Sequence, residues 1–310
     1  MRRLRMDIIV ISLLTVLPWL CNAGSTDNLA LGAKAVQSST YLYSELADAK
    51  HAVDGNRESN YDKGSCTHTG VEDNPWWRVD LKRIYSINKV TITNRGDCCP
   101  ERMAGAQIRI GNSLDNNGNN NELAATVYTA SMQTETFEFK PIQGRYVNIF
   151  LPGIQRVLTL CEVEVYAVNI AFGAKAVQSS TYNELGGANH AVDGNRESNY
   201  GRGSCTHTGV ENNPWWRVNL QKIYTINKVI ITNRGDCCPE RIAGAQIRIG
   251  NSLENNGNNN KLAATIGSIP FGGTQAFTFD NFKGQYVNII LPGNEKVLTL
   301  CEVEVYSAPA

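Results

Sequence analysis

The chain has 310 residues, with 29 basic and 29 acidic side chains, four His, nine Cys and 42% hydrophobic residues. Its length exceeds that of one typical domain, and its even charge balance offers no electrostatic field for nucleic acid or an anionic membrane. We therefore predict a globular chain of two domains with no nucleic-acid partner.

The N-terminus has the features of a cleaved secretory signal peptide at residues 1–23. Three arginines within the first five residues precede a mostly apolar run at 8–20, and small residues follow. That run is too short to span a bilayer, so we predict a secreted, extracellular protein without a membrane span. Cleavage would remove three Arg and one Asp, leaving 26 basic and 28 acidic residues.

An internal repeat divides the rest of the chain. Residues 32–41 recur without change at 173–182, and the spacing between later matches varies by only one or two residues. Because such insertions fall in loops, each copy is expected to keep one core. We predict two tandem domains, the first repeat at 24–167 and the second repeat at 168–310.

The periodicity is that of β-strands in both repeats. Residues 90–93, 107–110, 146–149 and 161–165 alternate apolar and polar side chains, and no stretch shows a convincing helical stripe. Short strands at this spacing predict an all-β fold of two tandem β-sandwich jelly-roll domains. The Asn-rich segment at 115–121, echoed at 254–260, is most simply a flexible solvated loop.

Paired tryptophans mark the start of one strand in each repeat. We expect one ring of each pair to enter the core and the other to lie at its edge, and we assign neither a ligand. The pairs are Trp76 with Trp77, and Trp215 with Trp216.

The cysteines are typical of a secreted protein with disulfide bonds. Once Cys21 leaves with the signal peptide, eight remain, four in each repeat, and four cysteines can pair in three ways. We favour one long-range bond and one bond between neighbours in each repeat, although the neighbours could instead pair with the distant cysteines. The favoured pairs are Cys66 with Cys161, Cys98 with Cys99, Cys205 with Cys301, and Cys237 with Cys238.

One short loop in each repeat concentrates unusual chemistry. Two guanidinium groups and two adjacent cysteines lie within residues 95–102, and His68 stands 26 residues before the first arginine. Adjacent cysteines lie about 3.8 Å apart across a trans peptide, below the usual disulfide range, so a bond between them would be strained and rigid. A rigid, apolar disulfide beside the donor groups of Arg95 and Arg102 would suit a small polyhydroxylated ring. Asp97 would hold a guanidinium in place by ion pairing.

Each of these residues also has an ordinary interpretation. Taken alone, Arg102 could be a solvated surface residue and His68 a structural histidine. Residues 95–97 also spell the cell-adhesion tripeptide Arg-Gly-Asp, but the flanking cysteines argue against an integrin role. The second repeat carries the whole set again, as His207, Arg234, Asp236, Cys237, Cys238 and Arg241.

A second group of residues offers oxygen ligands. Asp54 and Asn56 lie in a turn, and a bond from Cys66 to Cys161 would bring Ser65 next to Glu162. Such oxygens favour calcium over zinc, although Asp54 could simply satisfy its own turn. The second-repeat counterparts are Asp193, Asn195, Ser204, Cys301 and Glu302.

These motifs resemble the F-type lectins, the fucose-binding fucolectins of fish. The family motif is His, 26 residues, Arg, one residue, Asp, four residues, then Arg or Lys, and both repeats match it throughout. The strings at 74–81 and 160–165 are also similar, so the resemblance covers residues 28–306. It implies a discoidin-like jelly roll with one structural Ca²⁺ per domain and a shallow pocket at one end.

The resemblance also implies roles for individual residues. The matching His and Arg side chains would hydrogen-bond L-fucose, the vicinal disulfide would pack on the sugar, and an aromatic would lie near its methyl group. The implied sugar-binding residues are His68, Arg95, Arg102, Asp97, Cys98, Cys99 and Tyr61, and His207, Arg234, Arg241, Asp236, Cys237, Cys238 and Tyr200. The implied calcium ligands are His51, Asp54, Asn56, Ser65, Cys161 and Glu162, and His190, Asp193, Asn195, Ser204, Cys301 and Glu302.

We therefore expect a secreted lectin, not an enzyme, that binds terminal fucose on glycans and glycoproteins of cell or microbial surfaces. Agglutination or opsonisation in innate immunity would follow, and the chain could form homo-oligomers. A discoidin-like phospholipid or adhesion module is the alternative. A glycosidase normally needs two carboxylates about 5 to 9.5 Å apart. It is less favoured because the proposed pocket supplies cations and only one Asp, which is already paired with an Arg. The longer loop after Tyr41 suggests that the two sites accept different neighbouring sugars.

Overall fold

The computed structural model describes residues 27–128, 131–132 and 134–308. The predicted signal peptide lies outside these residues. Within the described part of the chain, no helix is long and apolar enough to cross a bilayer.

Each repeat forms one six-stranded antiparallel sheet in which the two longest strands are central. The first repeat contains β1 (Lys34–Gln37), β2 (Trp76–Thr93), β3 (Gln107–Gly111), β4 (Glu122–Thr126), β5 (Thr134–Phe150) and β6 (Glu162–Ala167). The second contains β7 (Lys175–Gln178), β8 (Trp215–Thr232), β9 (Gln246–Gly250), β10 (Lys261–Thr265), β11 (Thr274–Ile290) and β12 (Glu302–Ala308). The strand order is β1-β2-β5-β3-β4 with β6 also on β2, and the second repeat has the same arrangement.

The long strands bend, and the bend produces the sandwich. The pairing of β2 with β5 shifts register between Asp80 and Tyr85 and again between Ile87 and Lys89. Lys82, inside the first shift, has a positive φ of 65°. Before the bend β2 pairs with β1, and after it β2 pairs with β6, so one pair of strands contributes to both layers. The predicted all-β fold of two jelly-roll sandwiches is confirmed.

The alternation in the sequence explains which side chains form the core. Val79, Val147 and Ile149 are fully buried between the layers, and the corresponding residues of the second repeat form a similar core. Trp77 is fully buried and its Nε1 donates to Ala49 O at 2.9 Å, whereas Trp76 is only partly buried. The expectation of one tryptophan inside and one at the edge is therefore confirmed, and Trp215 and Trp216 repeat it.

The helical turns are short and of the 3-10 type, and no α-helix occurs among the described residues. In the first repeat they are Tyr41–Tyr43, Glu45–Ala47, Ala49–Val53, Tyr61–Lys63, Pro100–Met103 and Asp115–Gly118. In the second they are Glu184–Gly186, Ala188–Val192, Tyr200–Arg202, Pro239–Ile242 and Glu254–Gly257.

The prediction of a flexible solvated loop at 115–121 is partly wrong: Asp115, Asn116, Asn117 and Asn120 are exposed, but hydrogen bonds fix the segment. This segment folds over the outer face of the sheet, where Asn117 O accepts from Arg78 Nη1 at 2.5 Å and from Asn148 Nδ2 at 2.8 Å. Asn148 is fully buried, and Asn116 and Asn117 adopt positive φ values of 48° and 59°. Asparagine tolerates this left-handed conformation and offers an amide to the backbone, which explains its abundance here.

The two repeats contact each other directly. Ile230 and Tyr306 of the second repeat are buried in the hydrophobic cluster of the first. Asn227 Nδ2 donates to Ile84 O at 2.7 Å, and ion pairs join Lys228 with Asp27 and Arg83 with Asp280. Apolar and polar contacts therefore connect the second sheet to the first.

Candidate functional site

The arginine loop begins where β2 ends, and Asn94 fixes both of its ends. This side chain is 2% exposed. Its Nδ2 donates to Pro100 O at 3.1 Å and to Ser131 O at 2.8 Å, while its Oδ1 accepts from Arg95 N at 2.8 Å. The sequence analysis missed this residue. Its signal was an asparagine directly before the first arginine in both repeats, since an amide can donate and accept at once.

The two adjacent cysteines are bonded and shape the second half of the loop. Cys98 and Cys99 form a disulfide with their Cα atoms 3.7 Å apart, and Cys99 has φ 57° and ψ 48°. This left-handed conformation is uncommon for a residue other than glycine. Pro100 then begins a 3-10 turn, in which Arg102 N donates to Cys99 O at 3.2 Å. This turn follows the disulfide directly and carries Arg102, whose side chain donates to His68 Nε2.

Arg95 is held by a two-pronged ion pair with Asp97. Arg95 Nε lies 3.0 Å from Asp97 Oδ1, and Nη2 lies 2.5 Å from Oδ2. The hydrogen bond from Arg95, with a further one from Tyr61 N at 2.9 Å, lowers the pKa of Asp97 to about 2. Asp97 is thus ionised at neutral pH and fixes the plane of the guanidinium. The Arg-Gly-Asp tripeptide is therefore paired internally.

Three aromatic rings line the site around Arg95. The Arg95 guanidinium lies over the Tyr61 ring at 4.6 Å from its centroid. The Tyr61 ring meets the His68 imidazole edge to face at 5.3 Å, and the Tyr41 ring lies 4.6 Å from the same imidazole. Tyr41 is a second residue that sequence reasoning missed. These rings provide an apolar surface next to the charged groups.

His68 has a defined tautomer. Nδ1 lies 2.6 Å from Thr69 O, a carbonyl that can only accept, so Nδ1 carries the proton. Nε2 is therefore free to accept from Arg102 Nη1 at 3.2 Å. Burial, and then the positive charges of Arg102 and Arg95, lower the pKa of His68 below 6.5. The imidazole is consequently neutral at physiological pH, and its one lone pair accepts from Arg102.

The second repeat reproduces this geometry. Arg234 Nε and Nη2 lie 2.9 and 2.6 Å from the Asp236 oxygens, Arg241 Nη1 lies 3.2 Å from His207 Nε2, and Cys237 is bonded to Cys238. Tyr200, Tyr182 and Asn233 occupy the places of Tyr61, Tyr41 and Asn94. All predicted sugar-binding residues therefore lie in two matching clusters, one in each repeat.

The two clusters differ at their rims. In the first repeat Leu42 and Tyr43 extend the loop with positive φ values of 51° and 52°, and Tyr43 is 97% exposed. In the second repeat the shorter loop lets Asn183 Oδ1 accept from Tyr200 Oη at 2.5 Å. A hydrogen bond thus fixes the loop beside Tyr200 in the second repeat. The corresponding loop of the first repeat instead carries two exposed apolar side chains, Leu42 and Tyr43.

The long-range disulfides have the favoured pairing. Cys66 is bonded to Cys161 and Cys205 to Cys301, so the pairing of adjacent cysteines with distant ones is not adopted. In the first repeat this bond places Ser65 next to Glu162. All four of these cysteines are fully buried.

Hydrogen bonds and one ion pair connect part of the predicted calcium set near this disulfide. Glu162 Oε1 accepts from Gly55 N at 3.2 Å. This bond joins the turn that contains Asp54 to the start of β6, directly after Cys161. His51 lies beside the same turn, with its Nδ1 3.6 Å from Asp54 Oδ2. No cluster of three or more His, Cys, Asp or Glu ligands occurs in the described ranges. The predicted set combines the Asp54 and Glu162 carboxylates with amide, hydroxyl and carbonyl oxygens.

These residues fit a hard cation. Glu162 is fully buried, and its Oε2 has no hydrogen-bond partner. Burial, and repulsion from Asp54, raise the pKa of Glu162 to about 7, and burial and Asp193 raise that of Glu302 to about 8. A buried carboxylate needs a compensating positive charge, and Ca²⁺ prefers such oxygen donors. In the second repeat Glu302 Oε1 accepts from Gly194 N at 3.3 Å, and both His190 and Asn195 contact Asp193. Ser204 precedes Cys205, which is bonded to Cys301, the residue before Glu302.

The chain is similar in sequence to several known proteins. The profile of a family described as NedA-like, galactose-binding domain matches residues 51–149 and 190–289. Fucolectin-4 of Anguilla japonica is 53% identical over 146 residues, which are 46% of this chain and 80% of that protein. Fucolectin of Anguilla anguilla is 50% identical over 143 residues, covering 45% and 90% of the two chains. A serum F-lectin crystal structure from Morone saxatilis, 48% identical, spans 91% of this chain and 98% of its own with a TM-score of 0.47. From the profile match and the identity to the fucolectins, the chain belongs to the F-type lectin family.

Proposed function

We propose that this protein is a secreted, calcium-stabilised lectin that binds terminal L-fucose on glycans through two similar sites. The observation that carries the proposal is the cluster of a fixed arginine fork, a neutral histidine and a vicinal disulfide, present in both repeats. The name shared by the eel relatives, fucolectin, supports fucose as the sugar.

The cluster suits an uncharged deoxyhexose. Arg95 and Arg102 supply N–H donors in fixed planes, and a sugar hydroxyl would have to replace the Arg102 N–H as donor to the His68 lone pair. The Cys98–Cys99 bond and the Tyr61 ring offer rigid apolar surfaces for the ring carbons and the methyl group. Because these groups already hold their positions, little conformational entropy is lost when the sugar binds.

Two sites on one chain would compensate for weak individual binding. A monosaccharide has few atoms, so we expect affinity per site of about micromolar or weaker. Simultaneous contact with a fucose-coated surface would raise avidity by about two orders of magnitude or more. Agglutination or opsonisation of microbes would follow, and homo-oligomerisation would strengthen it.

The chemistry of the site argues against the alternatives. Asp97 is tied to Arg95 with a pKa of about 2, so it could not serve as the general acid of a glycosidase. The same ion pair occupies both charged ends of the Arg-Gly-Asp tripeptide, which argues against integrin adhesion. Release of sugar from a fucosylated aryl glycoside, or flotation with phosphatidylserine liposomes, would instead favour an enzyme or a phospholipid-binding module.

Arginine substitutions test the proposal. In the full chain, Arg95→Ala together with Arg234→Ala should abolish L-fucose binding in titration calorimetry, because both forks of charged donors are lost. Arg145→Ala is the control for each single substitution: Arg145 makes a two-pronged ion pair with Asp80 at 2.7 Å outside the cluster, so its loss removes one charge and one similar ion pair. Parental fucose affinity in the folded double variant would exclude these sites.

A further inference from the structure

A cleft adjoins the sugar cluster of the second repeat. It has a volume of about 300 Å³ and lies between the 3-10 turn Pro239–Ile242 and residues 291–297. Arg241 lines this cleft and also donates to His207 Nε2 at 3.2 Å, so one side chain borders both spaces. The Arg241 side chain therefore lies between the cleft and the proposed fucose site.

In the first repeat the Arg156 side chain crosses the space that corresponds to this cleft. Its Nη2 donates to Ala104 O at 2.9 Å, which connects the two walls. Lys296 holds this position in the second repeat. Both side chains pass over a glycine, with Arg156 Cγ 3.2 Å and Lys296 Cε 2.9 Å from where a Cβ on Gly153 or Gly293 would stand, and Arg156 continues to the opposite wall. Ala104 is accordingly half-buried, whereas its counterpart Ala243 is exposed and lines the open cleft.

The cleft wall has the chemistry of a sugar subsite. Glu240 and Glu295 provide carboxylates that accept from hydroxyl groups, and Lys296 provides an ammonium donor. Leu291 and Val297 supply an apolar floor for the C–H face of a pyranose ring. A volume of this size is at the lower end of the range for small-ligand sites.

We infer that this cleft is an accessory subsite for the sugar to which the terminal fucose is attached, and that Arg156 closes the corresponding space in the first repeat. The inference rests on the proposed fucose site, because Arg241 is the boundary between the two. The second repeat would then prefer fucose attached to a further sugar over free fucose, through contacts that the first repeat cannot make.

An exchange of the two residues tests this. In the full chain with the first site silenced by Arg95→Ala, we compare Lys296→Arg with the parent. The readout is the ratio of affinity for fucosylated di- and trisaccharides, with fucose on galactose or on N-acetylglucosamine, to affinity for methyl α-L-fucoside. The mirror experiment places Arg156→Lys in a chain whose second site is silenced by Arg234→Ala.

We expect at least one oligosaccharide to be favoured by the parent second site, and Lys296→Arg to lower that ratio about fivefold through the loss of one or two hydrogen bonds. Arg156→Lys should raise the ratio for the first site. Unchanged ratios in both exchanges, with normal binding of the methyl fucoside, would overturn the subsite and leave the proposed function intact. Loss of methyl fucoside binding by the otherwise unaltered second site would overturn the proposed function, and the subsite with it.

Discussion

Replacement of Asn94 by alanine should disable the first sugar site without touching a ligand-facing group. Asn94 is 2% exposed and makes three hydrogen bonds at 2.8 to 3.1 Å. Each is worth about 1 kcal/mol net, so Asn94→Ala should cost about 3 kcal/mol if no water replaces the amide. For a repeat of this size, that loss corresponds to a fall in Tm of about 6 to 12 °C.

Binding should fall together with stability, because Asn94 holds both ends of the loop that carries Arg95 and Arg102. The assay combines differential scanning calorimetry with fucose titration in the full chain, with the second site silenced by Arg234→Ala. Asn94→Asp is an informative companion: its carboxylate would still accept from Arg95 N but would face two carbonyl oxygens, so it should be at least as damaging. Unchanged Tm and affinity in both variants would refute the role given to Asn94.

Two further predictions concern protons and metal. Because the pKa of His68 is lowered below 6.5, the stability that its neutral form contributes is fully present above pH 6.5 and is lost as the pH falls toward the folded-state pKa. Fucose affinity measured by calorimetry should likewise be constant down to 6.5 and decrease only in more acidic buffer; a rise on acidification would contradict the neutral tautomer. Chelation with EDTA should lower the Tm of the chain, and the double variant Glu162→Gln with Glu302→Gln should show a smaller response. An equal Tm with and without Ca²⁺ in the parent would argue against a structural calcium.

The sequence was sufficient to predict the fold class, because the alternation of apolar and polar residues in β2 and β5 gives each strand one apolar face to bury. It also identified the residues that the structure collects into two clusters, since Arg95, Asp97 and His68 recur with the same spacing. The bend that lets one strand serve two layers was not predicted, because a register shift near Lys82 leaves no distinct pattern in the sequence.

Features that depend on distant backbone atoms were also missed. The role of Asn94 arises only when Pro100 O and Ser131 O approach the end of β2. The Asn-rich loop looked solvated because its composition is polar, but its carbonyl at Asn117 meets Arg78 and a buried asparagine across the sheet. Composition describes how a segment interacts with water, and it does not reveal which surface the fold brings against that segment.

The contact between the repeats has a practical consequence for truncation. A cut between residues 167 and 168 would uncover Ile230 and Tyr306, which are now enclosed by the core of the first repeat. A separately expressed second repeat would therefore expose a hydrophobic surface and would be prone to aggregate, for reasons unrelated to sugar recognition. Polar replacements at these two positions would be the first change to make when an isolated half is wanted.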